Sequence, residues 1–195
     1  MTRTATAVST IDEEELVFQS QQGDRSAYGE LVRLHAAGVL NLVHRMCGDE
    51  QLAEDAAQET FLQAWQHLNS YRPQTSLRNW LYRIAVNAAT DMLRKEKRLI
   101  PEAVEDLKLT DNQPSPEMVF VKQERTVLVQ KAVVALPEAC RAVLVLKEYE
   151  GLSYHEIAAS LDIPIGTVMS RLNYARNLLK ERLKTQLSYA EAENV

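Results

Sequence analysis

The side chains best suited to contact chemistry cluster near the C-terminal end of the chain. Thr167, Ser170, Arg171 and Tyr174 recur at three- and four-residue spacing, which on a helix brings them to one side. Val168, Leu172, Ala175 and Leu179 form the opposing apolar stripe. Hydroxyls and a guanidinium recognise polar edges without making or breaking bonds, and an arginine fork matches the acceptor pair of a guanine. Arg176 and Lys180 follow further along the same helix, where cations suit phosphate oxygens.

Bond-making chemistry has no comparable constellation. The chain lacks a glycine-rich phosphate loop, a GxSxG elbow and an HExxH pair. His35, His44, His67 and His155 are scattered, and Cys47 and Cys140 stand far apart with no CxxC or Cys/His cluster around them. That pattern predicts no catalytic residue, no metal site and no cofactor, and two small core cysteines in a reducing cytoplasm.

The contact residues need a scaffold, and residues 152–182 supply one. Ser153 with Glu156 three residues later is a capping box, so a helix should open there. Ile157, Ala158 and Leu161 give it an apolar face. Asp162, Ile163 and Pro164 end it, because proline lacks the N–H a helix interior needs. A second helix should start at Gly166 and Thr167. Helix, tight turn and helix with an outward Ser/Arg face is the pattern of a helix-turn-helix.

Two further stretches carry polar faces. Asp55, Gln58 and Glu59 share one side of a helix that Asp49 should cap. Arg78, Asn79, Arg83 and Asn87, with Tyr82 among them, put donors on one broad side of the next helix. A basic face with an aromatic is what a separated nucleic-acid strand needs.

Charge is segregated. The chain of 195 residues carries a formal net charge of −5, unlike a free-standing DNA binder. Residues 12–59 are strongly acidic, residues 71–98 are basic, and the stretch from Arg171 to Lys184 is basic again. Two basic surfaces and one acidic part suggest two nucleic-acid contacts and a protein partner elsewhere. No apolar run approaches membrane-spanning length, and residues 1–11 have no apolar stretch of a signal peptide.

In order along the chain, residues 1–11 read as a disordered N-terminus. A short helix ends at Gly23, a longer one capped by Asp24 ends at Gly48, and a third runs to about Leu68. The loop 69–75 precedes a fourth helix, capped by Ser76 or Thr75, that runs to about Arg98. Residues 99–116, with Pro101, Pro114 and Pro116, read as a flexible linker. A helix from about Glu117 to Ala135 follows, then one started by Pro137, then the helix-turn-helix. Residues 186–195 read as a polar tail. The fold class expected is all-α, two small helical domains joined by the linker.

The stretch GTVMSRLNYAR (166–176) resembles the recognition helix of sigma factors of the extracytoplasmic-function group in the sigma-70 family, which opens G-T-V-x-S-R. Gly166, Thr167, Val168, Ser170 and Arg171 match, while Met169 and Tyr174 stand where the family is often basic. Asp55, Gln58, Glu59, Phe61 and Trp65 match a D-x-x-Q-E-x-F-x-x-x-W run that in the family docks on a coiled coil of the largest polymerase subunit. Trp80, Leu81, Tyr82, Arg83, Ile84, Ala85 and Asn87 match the promoter-melting helix. The loop before it matches the specificity loop, which pockets a flipped base; Pro73 replaces a glycine often found there and should stiffen it.

The resemblance implies a sigma-2 domain over 12–98, the linker over 99–116 and a sigma-4 domain over 117–185. It assigns core polymerase binding to Asp55, Gln58 and Glu59. It assigns −10 recognition and melting to Asn69, Ser70, Tyr71, Arg72, Asn79, Arg83 and Asn87. Reading of −35 falls to Thr167, Ser170, Arg171, Tyr174, Arg176 and Lys180. The implied partners are core RNA polymerase, promoter DNA and an anti-sigma factor, with no membrane insertion. A stand-alone helix-turn-helix regulator would explain residues 152–182 but neither the basic fourth helix nor the Asp55/Gln58/Glu59 face. An interaction-only adaptor would explain the acidic helices and neither basic surface.

Overall fold

The computed structural model describes the backbone of residues 12–99 and 117–192, and the side chains of residues 12–98 and 126–184. The expected disordered N-terminus and nearly all of the expected linker lie outside the described residues. Within them every regular element is helical. The order is α1 (Glu13–Gln21), α2 (Arg25–Cys47), α3 (Glu50–His67), a short 3-10 turn (Leu68–Ser70), α4 (Leu77–Leu99), α5 (Glu117–Val134), α6 (Glu138–Glu148), α7 (Tyr154–Leu161) and α8 (Ile165–Ala192).

Local chemistry accounts for most boundaries. Asp12, Asp24 and Asp49 each accept a backbone N–H of the first turn of α1, α2 and α3, pairing a donor that would otherwise have no intrahelical partner. Ser76 Oγ accepts from Asn79 N at 3.3 Å at the start of α4. Gly48 closes α2 at φ 74°, a left-handed conformation that glycine takes without strain. Ser153 accepts from Glu156 N, and Glu156 reaches back to the backbone of Ser153. Ser153→Ala should therefore lower stability by about 1 kcal/mol in thermal melts.

Two differences from the expected boundaries have simple causes. Helix α8 starts at Ile165, directly after Pro164, because proline readily precedes or opens a first turn. Its backbone then stays helical to Ala192, into the stretch read as a polar tail. That stretch holds no Gly or Pro; polarity removes the reason to pack, not the ability to coil.

Helices α1–α4 make one unit and α5–α8 another. In the first, α2 lays Leu31, Val39, Leu42, Val43 and Met46 against Ala53, Ala56 and Ala64 of α3 and Leu81, Ala85 and Ala89 of α4. Alanines on α3 let the helices approach closely. In the second, Val143, Leu144, Val145 and Leu146 of α6 meet Ile157 of α7 and Val168, Leu172 and Ala175 of α8. The two units are not held apart: the hydrophobic cluster is continuous through both, and α2 and α4 pack against α5, α6 and α7.

Candidate nucleic-acid interface

Helix α8 presents its core stripe at Val168, Leu172 and Ala175, all buried. The most outward positions are Met169, Ser170, Asn173, Tyr174, Arg176, Asn177 and Lys180. Met169 is 49 % exposed and Tyr174 53 %. Thr167 and Arg171 are half-buried, lying on the flank between the core stripe and the outward face. Arg171 has no hydrogen bond or ion pair among the described residues, so its five donors are uncommitted. Arg176 differs: its Nη2 lies 2.5 Å and its Nε 3.2 Å from Glu148 Oε1. To hold a phosphate it must first release that carboxylate. Asn173 and Asn177 are more outward than Arg171; helical spacing puts Asn177 on the face away from the core and Asn173 on its flank. The register of the apolar stripe is the signal that ranks them higher.

On α4 the expected donors divide. Arg83 and Asn87 are exposed, one helical turn apart, with no partner among the described residues. Asn79 is 4 % exposed, and its Nδ2 donates to Glu156 Oε1 at 3.2 Å. Tyr82 is also buried; its hydroxyl donates to Glu150 Oε2 at 2.5 Å, and the Arg78 guanidinium lies 5.6 Å from its ring centroid. Burial, then the Glu150 carboxylate, push the Tyr82 phenol well above its ordinary range, so it stays a donor.

The preceding loop divides as well. Tyr71 is buried, packs tilted against Trp80 with ring centroids 5.3 Å apart, and donates to Thr75 O at 2.8 Å. Its visible task is to hold the loop on α4. Asn69, Ser70 and Arg72 are exposed. Arg72 Nη1 donates to Asn69 O and Tyr71 O, each at 2.8 Å, which stiffens the loop around Pro73.

On α3, Asp55 and Gln58 are exposed and Glu59 half-buried, opposite the buried Ala53, Ala56, Thr60 and Ala64. Their side-chain bonds are local: Gln51 to Asp55 at 3.4 Å and Gln63 to Glu59 at 2.7 Å. Leu62 shares this stripe at 53 % exposure, which the sequence reading passed over. It stands three residues after Glu59, and Phe61 beside it turns inward. Trp65 packs on Tyr28, ring centroids 4.8 Å apart.

Sequence reading also missed the groups that join the two units. Arg141 lies in the apolar run 139–146 and is only 5 % exposed. It donates to Met46 O across the boundary and to Leu136 O at 2.9 Å. Burial lowers its basicity, opposed by Glu138. An arginine inside an otherwise unbroken apolar run was the available signal.

A helical unit followed by a helix-turn-helix unit is the architecture of a two-unit helical protein, and the comparisons with known proteins say of which class. Residues 31–99 match Sigma-70 region 2, and residues 126–179 match Sigma-70, region 4. The RNA polymerase sigma-H factor of Pseudomonas aeruginosa is 35% identical over 187 residues, 91% of this chain and 97% of the relative. The ECF RNA polymerase sigma-E factor of Escherichia coli is 35% identical over 178 residues, 87% of this chain and 93% of the relative. Among solved structures, CnrH in complex with the cytosolic domain of CnrY superposes with a TM-score of 0.65 at 25% identity, covering 89% of this chain and 97% of that one. RpoE of Bartonella quintana, in complex with the anti-sigma factor NepR, gives 0.63 at 25% identity, covering 80% and 96%.

The chain belongs to the extracytoplasmic-function group of sigma-70 family RNA polymerase sigma factors. It directs RNA polymerase to promoters and is not itself an enzyme. Among the described residues no helix is long and apolar enough to cross a membrane.

Proposed function

We propose that α3 docks the protein on core polymerase through Asp55, Gln58 and Glu59. The loop 69–75 and α4 read and open the −10 region, and α8 reads the −35 region as duplex. Thr167, Ser170, Arg171 and Tyr174 approach base edges, with Arg176 and Lys180 at phosphates. Arg83 and Asn87 track the separated non-template strand, with Asn69, Ser70 and Arg72 at the loop end. Asn79 joins them only once Glu156 is displaced. The protein works in the cytoplasm, where the polymerase is. An anti-sigma factor is a further partner; RpoE of Bartonella quintana, similar in fold, is found with one.

The observation that supports this reading most is the pair Arg83 and Asn87. Two exposed donors without partners stand one turn apart on an otherwise well-packed helix. Unpaired donors of this kind suit a flexible, charged strand. Adding the protein to core polymerase should give promoter-specific transcripts. Alanine at Arg83 or Asn87 should lower open-complex formation, read by permanganate at −10 thymines, more than it lowers initial duplex binding. Unaltered −10 footprints in both variants would refute the assignment of α4.

A further inference from the structure

The loop 69–75 takes its shape from its own backbone. Ser70 Oγ donates to His67 O at 2.7 Å, and Arg72 Nη1 to Asn69 O and Tyr71 O at 2.8 Å each. The Tyr71 hydroxyl donates to Thr75 O at 2.8 Å. Tyr71 N donates to Leu68 O at 3.0 Å, and Gln74 N to Arg72 O at 2.7 Å. All of these bonds close within residues 67–75. They set the form of the loop and leave its placement to other contacts. The Tyr71 ring, packed against Trp80, ties it to α4. A second tie comes from α1. Gln21 Nε2, at the C-terminal end of that helix, donates to Leu68 O at 2.9 Å and to Tyr71 O at 3.3 Å.

Neither carbonyl needs Gln21 in order to be satisfied. Leu68 O already accepts from Tyr71 N, and Tyr71 O from Arg72 Nη1. What the Gln21 amide adds is orientation. One group that meets two carbonyls three residues apart fixes how the turn between them is rotated as well as where it lies. The helix behind it gives firm support. Leu16 and Val17 of α1 pack on the core cluster, Ser20 is buried, and Glu13 Oε2 lies 2.9 Å from His35 Nε2 of α2.

We propose that Gln21 is a positioning residue for promoter selection, on the reading that the loop 69–75 recognises −10: from α1 it holds the loop so that Asn69, Ser70 and Arg72 meet an extruded base in one orientation. Gln21 does not touch DNA in this role, since its amide nitrogen is committed to the two carbonyls. A pocket selects by the difference in affinity between the right base and the wrong one. That difference shrinks when the lining groups can shift to suit either.

Two full-length variants test this. Gln21→Met keeps the length of the side chain and removes the donor. Gln21→Lys keeps donors for the carbonyls. Each is assembled with core polymerase and assayed by transcription from a promoter panel mutated at every −10 and −35 base pair. Preference is a ratio between promoters, so a general gain from the added lysine charge divides out. Gln21→Met should lower the preference at one or two −10 positions by about threefold to tenfold, the size of one or two neutral hydrogen bonds. The −35 preferences and core affinity should not change. The melting temperature should stay close to that of wild type, because both carbonyls keep a donor. Gln21→Lys should retain the wild-type preference.

An unaltered −10 preference in Gln21→Met overturns the proposal, and so does a loss of equal size in both variants. A fall shared by −35 positions, with a lower melting temperature, overturns it too and makes Gln21 a structural residue. Asn69→Ala and Arg72→Ala separate this failure from failure of the loop assignment. Where they flatten the −10 preference and Gln21→Met does not, the loop reads without help from α1. Where none of the three alters it, the loop is not the reader, and the role of Gln21 falls with that assignment.

Discussion

Replacing Asp55 and Glu59 together by alanine is expected to cut the affinity for core polymerase by about tenfold to a hundredfold, as loss of one or two hydrogen bonds to charged groups would. The fold should not change. Both side chains lie on the solvent side of α3, and their bonds run only to Gln51 and Gln63 on the same helix. Surface substitutions of this kind usually stay within about 0.5 kcal/mol, and alanine is the better helix former. Core affinity and helix stability should therefore separate cleanly. Competition against a labelled sigma factor for core measures the first, and a circular dichroism melt the second. Equal affinity of variant and wild type would remove α3 as the docking surface, whereas a fall in affinity with an equal fall in melting temperature would make the two carboxylates structural.

How far the sequence reveals this molecule depends on whether the cause of a feature is local. The helix starts at Asp24, Asp49 and Ser153 were legible because a capping side chain and its N–H lie within three residues of one another. The helix-turn-helix was legible because Asp162 and Pro164 interrupt a clear apolar period. The left-handed turn at Asp162, φ 52°, is where the first helix ends.

The boundary between the two units was not legible. Its members pair across long separations: Arg141 with Met46, Tyr82 with Glu150, Asn79 with Glu156. No periodicity reports a partner tens of residues away. Tyr71 shows the same limit at shorter range, since its ring packs on Trp80 and composition alone cannot separate a packed tyrosine from an exposed one. Asn79 was correctly placed on α4, yet its side chain faces the second unit. Spacing along the chain orders residues around one helix and carries nothing about what covers them.

Arg171→Ala is expected to relax sequence preference at one −35 position, with a loss of about 1–3 kcal/mol of discrimination if the guanidinium is bidentate to a guanine. The structural basis is the combination of position and freedom. Arg171 lies in the second turn of α8, where a recognition helix approaches base edges, and it has no carboxylate or carbonyl partner among the described residues to satisfy first. Arg176 makes the informative contrast. It lies further along α8 and is already paired with Glu148, so any phosphate contact must replace that ion pair. Exposed pairs of this kind contribute only ~0–1 kcal/mol, so the exchange is feasible. Arg176→Ala should then weaken all promoters alike, with a change in salt slope of no more than about 1. Met169→Arg, at an outward position 49 % exposed, should tighten binding across the panel without retargeting it. Transcription from promoters mutated at each −35 base pair separates these outcomes. A uniform fall across the panel for Arg171→Ala would make Arg171 a phosphate clamp rather than a reader. In that case discrimination falls to Thr167, Ser170 and Tyr174, the other residues placed at base edges, and alanine at Ser170 and Tyr174, the outward two, should then flatten the preference.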